Sequence, residues 1–265
     1  MKSVSLIRET WKTEKSHLLG LLALLIVATA VRVHFLSAPV HHDEAQTFLE
    51  FASQPLSIGL SKYTVPNNHL FHTFLVHMVS VLIGNELWMI RLPALLAGIM
   101  LVPTSYIITR MLYKDKNAAL LAAALVGASS SLIRYSVLSR GYSILCLIFL
   151  VTLGLADYLR RNPGSSLWIL FSVLSALGFY TIPIMLYPYG IVIMWLLLSL
   201  ITKEPDIGDR PFLLKRLMKS IVFTGVLVFV LYLPVFVVSG YKAVAANGMV
   251  KARPWAQMAA AQREA

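Results

Sequence analysis

Seven stretches of this chain are apolar over close to the length that a bilayer crossing demands. They are Leu18–Leu36, Leu92–Ile108, Ala118–Ile133, Ser143–Tyr158, Leu167–Thr181, Ile182–Ile201 and Ile221–Val238. A spanning helix needs roughly 20 mostly apolar residues, within about 17–25. The run from Leu167 to Ile201 is too long for one crossing, and Pro183 marks a hairpin at Thr181–Pro183. Of the 265 residues 58% are hydrophobic and 13% charged, against about 45–50% and 25% in soluble chains. Water cannot accommodate that much apolar surface, so a cytosolic enzyme, a secreted disulfide scaffold and a free nucleic-acid binder are excluded. Within lipid every backbone polar group needs an internal partner. The expected fold is therefore all-α: a polytopic bundle of about seven transmembrane helices. The single Cys146 excludes an internal disulfide and reads as packing.

A further apolar run, Leu70–Gly84, is only 15 residues long and carries His72 and His77, and a run of that length is more often interfacial than spanning. Charge supports that reading. If the run lies on the surface, 14 Lys and Arg fall on the N-terminal side of the membrane and 8 on the other; if it crosses, the tally is 11 against 11. Cytoplasmic loops are enriched in Lys and Arg, so the surface arrangement is preferred and the N-terminus is cytoplasmic. The net charge of +11 then belongs to membrane orientation, and no nucleic-acid partner is expected. Ala28-Thr29-Ala30 resembles a signal-peptidase site, but the apolar run continues to Leu36, so the first span is expected to be retained. The basic segment Lys203–Lys219 reads as a cytoplasmic loop touching anionic lipid.

Polar chemistry concentrates in the first outer loop, residues 37–90. Six of the seven histidines lie between His34 and His77, together with Asp43 and Glu44. Loops beyond ~12–15 residues are usually functional or disordered, and this one is apolar enough to form amphipathic surface helices. His41-His42-Asp43-Glu44 follows the first span at once. A carboxylate held there can act as general base for a hydroxyl or bind a divalent metal with His41 and His42. It can equally be the acidic first turn of a helix. His69, His72 and His77 fit one helix face only partly and read as interfacial. Arg140, at the start of the fourth span, can hold a phosphate in bidentate fashion or snorkel to headgroups. Arg91, at the start of the second span, needs a buried acid such as Glu44 or Asp43, and Pro93 reads as part of that helix's first turn.

These pieces, in this order, resemble the type-C, polyprenyl-phosphate-sugar-dependent glycosyltransferases, specifically the family-39-like branch of protein O-mannosyltransferases and lipid A aminoarabinose transferases. The residues that carry the resemblance are Asp43-Glu44, then Pro66-Asn67-Asn68-His69-Leu70, then Arg91-Leu92-Pro93-Ala94 with Gly98, then Arg140-Gly141-Tyr142, and finally Tyr180-Thr181. Relatives often follow the last pair with His, where this chain has Ile182. The resemblance covers roughly Ala38 to Gly240. It implies an inverting transfer of a hexosyl or pentosyl group from a polyprenyl-phosphate sugar to a hydroxyl on a glycan, lipid or protein, at the outer face of a bacterial plasma membrane. It implies catalytic Asp43 and Glu44, with Asp43 as base and Glu44 in support. Arg140, His69 and Tyr142 would contact the donor, and Arg91 would hold the loop. Divalent metal use varies across the superfamily, so none is required, and His41 and His42 would be its ligands. Such enzymes carry further spans, so 1–240 corresponds to the N-terminal module and 241–265 to an outer-face tail, with a partner subunit as another source of the missing helices. Other readings are a non-catalytic membrane subunit and a transporter subunit, though a transporter places ionisable groups at the midplane.

Overall fold

A computed structural model describes residues 2–202 and 207–245, with side chains for 15–202 and 207–244. The described residues form an all-α fold, 81% helix and without strands. The chain opens with α1 (Lys2–Phe35) and enters a compact loop. That loop holds α2 (His42–Thr47), a π-helical turn (Phe48–Ala52), α3 (Leu56–Gly59) and α4 (Leu70–Leu82). Next come α5 (Leu87–Tyr113), α6 (Lys116–Ala128), α7 (Ser130–Ser136), α8 (Tyr142–Arg161) and α9 (Leu167–Thr181). A 3₁₀ turn (Pro183–Met185) leads into α10 (Leu186–Ile201), then α11 (Arg210–Val238) and α12 (Lys242–Ala245). Most of the expected tail, from residue 246 onward, lies outside the described residues.

Five helices are individually long and apolar enough to cross a membrane: α1 from Lys15, α5, α8, the 3₁₀ turn with α10, and α11. These are the features of a multi-pass membrane protein. A sixth crossing results if α6 and α7 form one broken span. The sequence suggests an unbroken helix over Ala118–Ile133. Instead the chain bends by 60° between α6 and α7. Ser129 is extended there (φ −62°, ψ 116°), and its hydroxyl accepts from the Leu132 N–H at 3.5 Å, opening a new helix. Serine favours such caps because its side chain competes with the helical backbone. Two further expectations shift. Pro93 lies inside α5, since that helix begins at Leu87. Arg210–Lys219 is the first part of α11, capped by Asp209, rather than loop.

Contacts at the helix ends fix the direction of each element. His17 meets Asn117 at 3.0 Å while Arg32 reaches Gly127 and Ser136, so α1 and α6 run parallel. Thr181 packs on Gly141 at the start of α8, and Trp168 donates to Pro163 O at 3.0 Å just beyond its end, so α9 returns alongside α8. Arg160 lies over the Trp195 ring at 5.0 Å, placing the end of α10 beside the end of α8. Ser239, just past α11, bonds back to Ser61 and Tyr63 in the first loop. One end of the bundle thus gathers the first loop, the starts of α5 and α8, and the ends of α9 and α11. We call it the loop end. The other half packs around Leu159, Phe171, Leu196, Leu213 and Leu217.

α4 and α9 are both shorter than a free-standing span. At about 1.5 Å per residue, α4 with 13 residues is roughly 20 Å long, below the ~30 Å hydrocarbon thickness. α9 has 15 residues and is sheltered, with Phe171, Ser172, Ser175 and Ala176 buried among its neighbours. Close approach at the loop end depends on glycine. A Cβ on Gly98 would collide with the Ser136 hydroxyl, so α7 can cross α5 only where position 98 has no side chain.

Candidate active-site cleft

Arg91 anchors the first loop. Its Nε and Nη2 donate to Glu44 Oε1 and Oε2, each at 2.7 Å. Its Nη1 donates to Leu36 O at 2.6 Å and Ala38 O at 2.8 Å, and Nη2 to Pro39 O at 3.3 Å. Both side chains are essentially without solvent exposure. Glu44 also accepts the Ser139 N–H at 2.8 Å on Oε1 and the His41 N–H at 3.2 Å on Oε2. A bidentate Arg–carboxylate pair is both strong and directional. This one joins the end of α1, the first turn of α2, the start of α5 and the turn before α8.

Asp43, one residue earlier on α2, is placed otherwise. Its side chain is 45% exposed, and its nearest cation is Arg140 Nη1, at 3.7 Å from Oδ2. Arg140 is 6% exposed; the same nitrogen donates to Asn67 Oδ1 at 2.7 Å and approaches Asp43 O at 3.5 Å. His42 Nδ1 lies 3.7 Å from Asp43 Oδ1, on a ring that is 85% exposed. Partial burial pushes the Asp43 carboxyl up, but Asn67, the Arg140 charge and the two histidines outweigh it, so its pKa lies below the ordinary carboxylate value. Asp43 is ionised at neutral pH.

Asp43 and Arg140 face a cleft of 170 Å³, also lined by His41, Arg134, Tyr135 and Tyr142. The Tyr142 ring sits 4.5 Å from Tyr135 and 5.1 Å from His69, with the Arg140 guanidinium 5.7 Å from its centre. Glu44 and Arg91 neutralise each other. Asp43, Arg134 and Arg140 therefore leave the cleft with one excess positive charge, a setting for an anion. Arg134 is exposed and makes no ion pair among the described residues.

His69 lies behind this wall. It is 2% exposed, and its Nδ1 accepts the Gly141 N–H at 2.9 Å, so a neutral ring carries its proton on Nε2. Burial lowers its pKa well below the ordinary value, and Arg140 and His72 add to the shift. A Cβ on Gly141 would stand 2.6 Å from Thr181 Cγ2 and 3.1 Å from His69 Nδ1. The Tyr180-Thr181 turn, the Arg140-Gly141-Tyr142 turn and the start of α4 therefore meet at one point.

Asp43, Arg140, Tyr142 and His41 come together in the cleft. Glu44 and Arg91 form the anchor beneath it, and His69 supports its back wall. Arg134, Tyr135 and Asn67 were given no individual role by the sequence; Asn67 lies in the Pro66–Leu70 turn that it marks, and Arg134 and Tyr135 lie on α7. The bend at Ser129, which brings Arg134 and Tyr135 to Asp43, had only the run of three serines as a signal. Among the described residues, no three His, Cys, Asp or Glu side chains gather as a metal-binding group; His42 and Asp43 approach each other without a third such ligand. Compared with known proteins, the chain matches no family model, no curated protein and no solved structure.

Proposed function

We propose that this chain is a type-C membrane glycosyltransferase module, moving a sugar from a polyprenyl-phosphate donor to an acceptor hydroxyl at the outer face of a bacterial plasma membrane. In this reading the bundle crosses seven times, with α6–α7 as one broken span, α9 as a short sheltered one and the N-terminus in the cytoplasm. The loop end is then the outer face. The observation that carries the proposal is the division of labour between two adjacent carboxylates. Glu44 is fully occupied by Arg91, Ser139 and His41, whereas Asp43 stays ionised and open beside a guanidinium. The resemblance noted in the sequence supplies the chemistry that such a pair would serve.

Asp43 accepts the proton of the acceptor hydroxyl as its oxygen bonds to the anomeric carbon. The bond from that carbon to the phosphate oxygen breaks, and the phosphate leaves on its lipid with the electron pair. Arg140 stands where this negative charge develops, and fixed donors at such a place lower the barrier. The low pKa of Asp43 makes it a weak base, so alignment of the two reactants supplies much of the rate. Tyr142, with Tyr135 beside it, offers a flat aromatic wall to the sugar ring. Glu44, Arg91 and His69 are positioning residues that hold the loop and the turn before α8. No divalent metal is needed for these steps; the carrier lipid, the sugar donor and the acceptor are the partners.

The test supplies the full chain, in native membranes, with a panel of polyprenyl-phosphate hexoses and pentoses, and measures release of the polyprenyl phosphate. The wild type is expected to turn over at least one donor. Asp43→Asn should lower that rate about 100-fold or more while the protein remains monodisperse in detergent. A wild type inert toward every donor, or an Asp43→Asn variant as fast as the wild type, overturns the proposal.

A further inference from the structure

A second cleft, sharing none of the described lining residues with the first, opens at the loop end between the first loop and the end of α11. Its volume is 720 Å³, within the ~300–1,000 Å³ range of ligand sites. Lys62 and Lys242 stand on its rim and Ser61, Tyr63 and Thr64 form one wall; Ile58, Val238 and Ala243 supply apolar surface. Among the described residues, no Asp or Glu lines it. The cleft is a built feature: Ser239 Oγ accepts the Tyr63 N–H at 2.8 Å and donates to Ser61 O at 2.9 Å, tying its two sides together. Asn68 Nδ2 donates to Lys62 O and Gly59 O, both at 2.9 Å, fixing the lysine-bearing turn from behind.

Charge accounting narrows the occupant. At the loop end Arg91 is neutralised by Glu44, and Arg140 faces Asp43. Among the described residues, the exposed cations left there without an ion pair are Lys62, Arg134 and Lys242. Two of the three share this cleft. Two uncompensated ammonium groups over hydroxyls and apolar surface call for an anionic amphiphile.

The apolar part of that ligand has a place too. Val222, Val226, Val230, Leu233 and Val237 are all exposed, from 45% to 77%. Their spacing of three and four puts them in one stripe along α11. At about 1.5 Å per residue the stripe runs roughly 22 Å and ends against Val238 and Ser239 in the cleft lining. An acyl chain lying on it would carry its headgroup to Lys62 and Lys242.

We propose that the cleft between Lys62 and Lys242 binds the phosphate headgroup of an anionic phospholipid, with its acyl chain along the Val222–Val237 stripe of α11. The site closes the junction between the first loop and α11, and it does not depend on the catalytic reading of the other cleft.

The test uses the purified full chain and native mass spectrometry, with phosphatidylglycerol and phosphatidylcholine of identical acyl chains. A photoactivatable phosphatidylglycerol, with peptide mapping of the crosslink, locates the bound lipid. Each lysine near a membrane surface contributes roughly fivefold to anionic-lipid binding, so two contribute about 25-fold. The wild type is expected to retain phosphatidylglycerol preferentially and to crosslink within 58–64 and 238–243. The Lys62→Gln/Lys242→Gln variant, altered only at exposed side chains, should lose about 25-fold of that binding. The matched control Lys215→Gln/Lys219→Gln, at the opposite end of α11, should keep this crosslink. Equal retention of both lipids overturns the proposal. So does a crosslink confined to the opposite end, or unchanged binding in the Lys62/Lys242 variant. If glycerol phosphate competes as well as the intact lipid, the cleft takes a small anion without an acyl chain, and the lipid assignment fails.

Discussion

Two acid–arginine pairs stand one residue apart on α2 and have opposite designs. Glu44–Arg91 is closed: two contacts of 2.7 Å, backbone partners on every side and almost no exposure. Asp43–Arg140 is open: 3.7 Å apart, with the carboxylate 45% exposed at a cleft. A buried ion pair is tolerated when hydrogen bonds satisfy it fully, and breaking it strands a charge in a poorly solvated place. An open pair retains the capacity to bind something else. The first arrangement builds the loop, and the second leaves groups free for chemistry.

The sharpest test of this contrast breaks each pair in turn. Asp43→Asn should abolish donor turnover while leaving thermal stability nearly unchanged. Arg91→Ala should do the reverse at its origin, since removing one partner of a buried pair costs about 3–5 kcal/mol. Its expected signature is a large drop in melting temperature in detergent, with activity lost as the loop detaches. If Arg91→Ala melts like the wild type, Glu44 is not held as described and the comparison collapses.

Arg140→Gln tests the open pair from its other side. Loss of a charge-stabilising donor should lower turnover about 100-fold or more. It should also remove one of the influences that hold the Asp43 pKa down, moving the acid limb of the residual activity to higher pH. The sign follows from the depressed pKa: Asp43 is ionised above it and fails only as pH falls through it. An acid limb shifting the other way would show that Arg140 does not act on Asp43. The smallest expected effect is Gly98→Ala, which forces a methyl group against Ser136 and should cost about 1–3 kcal/mol, the usual range for overpacking, read as a moderate fall in melting temperature.

The apolar runs made the helical bundle legible, because their length and the lipid's lack of hydrogen-bonding groups leave few alternatives. They also marked α4 as a short helix, with α9 beside it in the same class, since brevity is a property of sequence. The Ser129 bend was not legible in the same way. Serine is tolerated inside membrane helices, and only the packing of Arg32 and α5 decides that the helix breaks there. Arg32 is fully buried, donating to Ala28 O on its own helix, to Gly127 O near the end of α6 and to Ser136 Oγ on α7. A cation at a helix C-terminus is favoured by the helix dipole, a partner invisible in a list of acids and bases.

The candidate site divides in the same manner. Asp43, Glu44, Arg91 and Arg140 stand out in the sequence because charges flanking apolar runs are costly and few. Which acid belongs to which arginine was left open, because residues 43 and 44 are neighbours and either could have faced Arg91. The turn of α2 after His41 settles it, directing Glu44 inward and Asp43 to the cleft. The sequence by itself determined a helical membrane bundle with its polar chemistry gathered in one loop, since hydrophobic length and charge placement are local quantities. The tertiary structure alone decided the pairing of the charges, the bend that delivers Arg134 and Tyr135, and the second cleft beside α11. Each of these depends on distances between segments far apart in the chain, which no local pattern encodes.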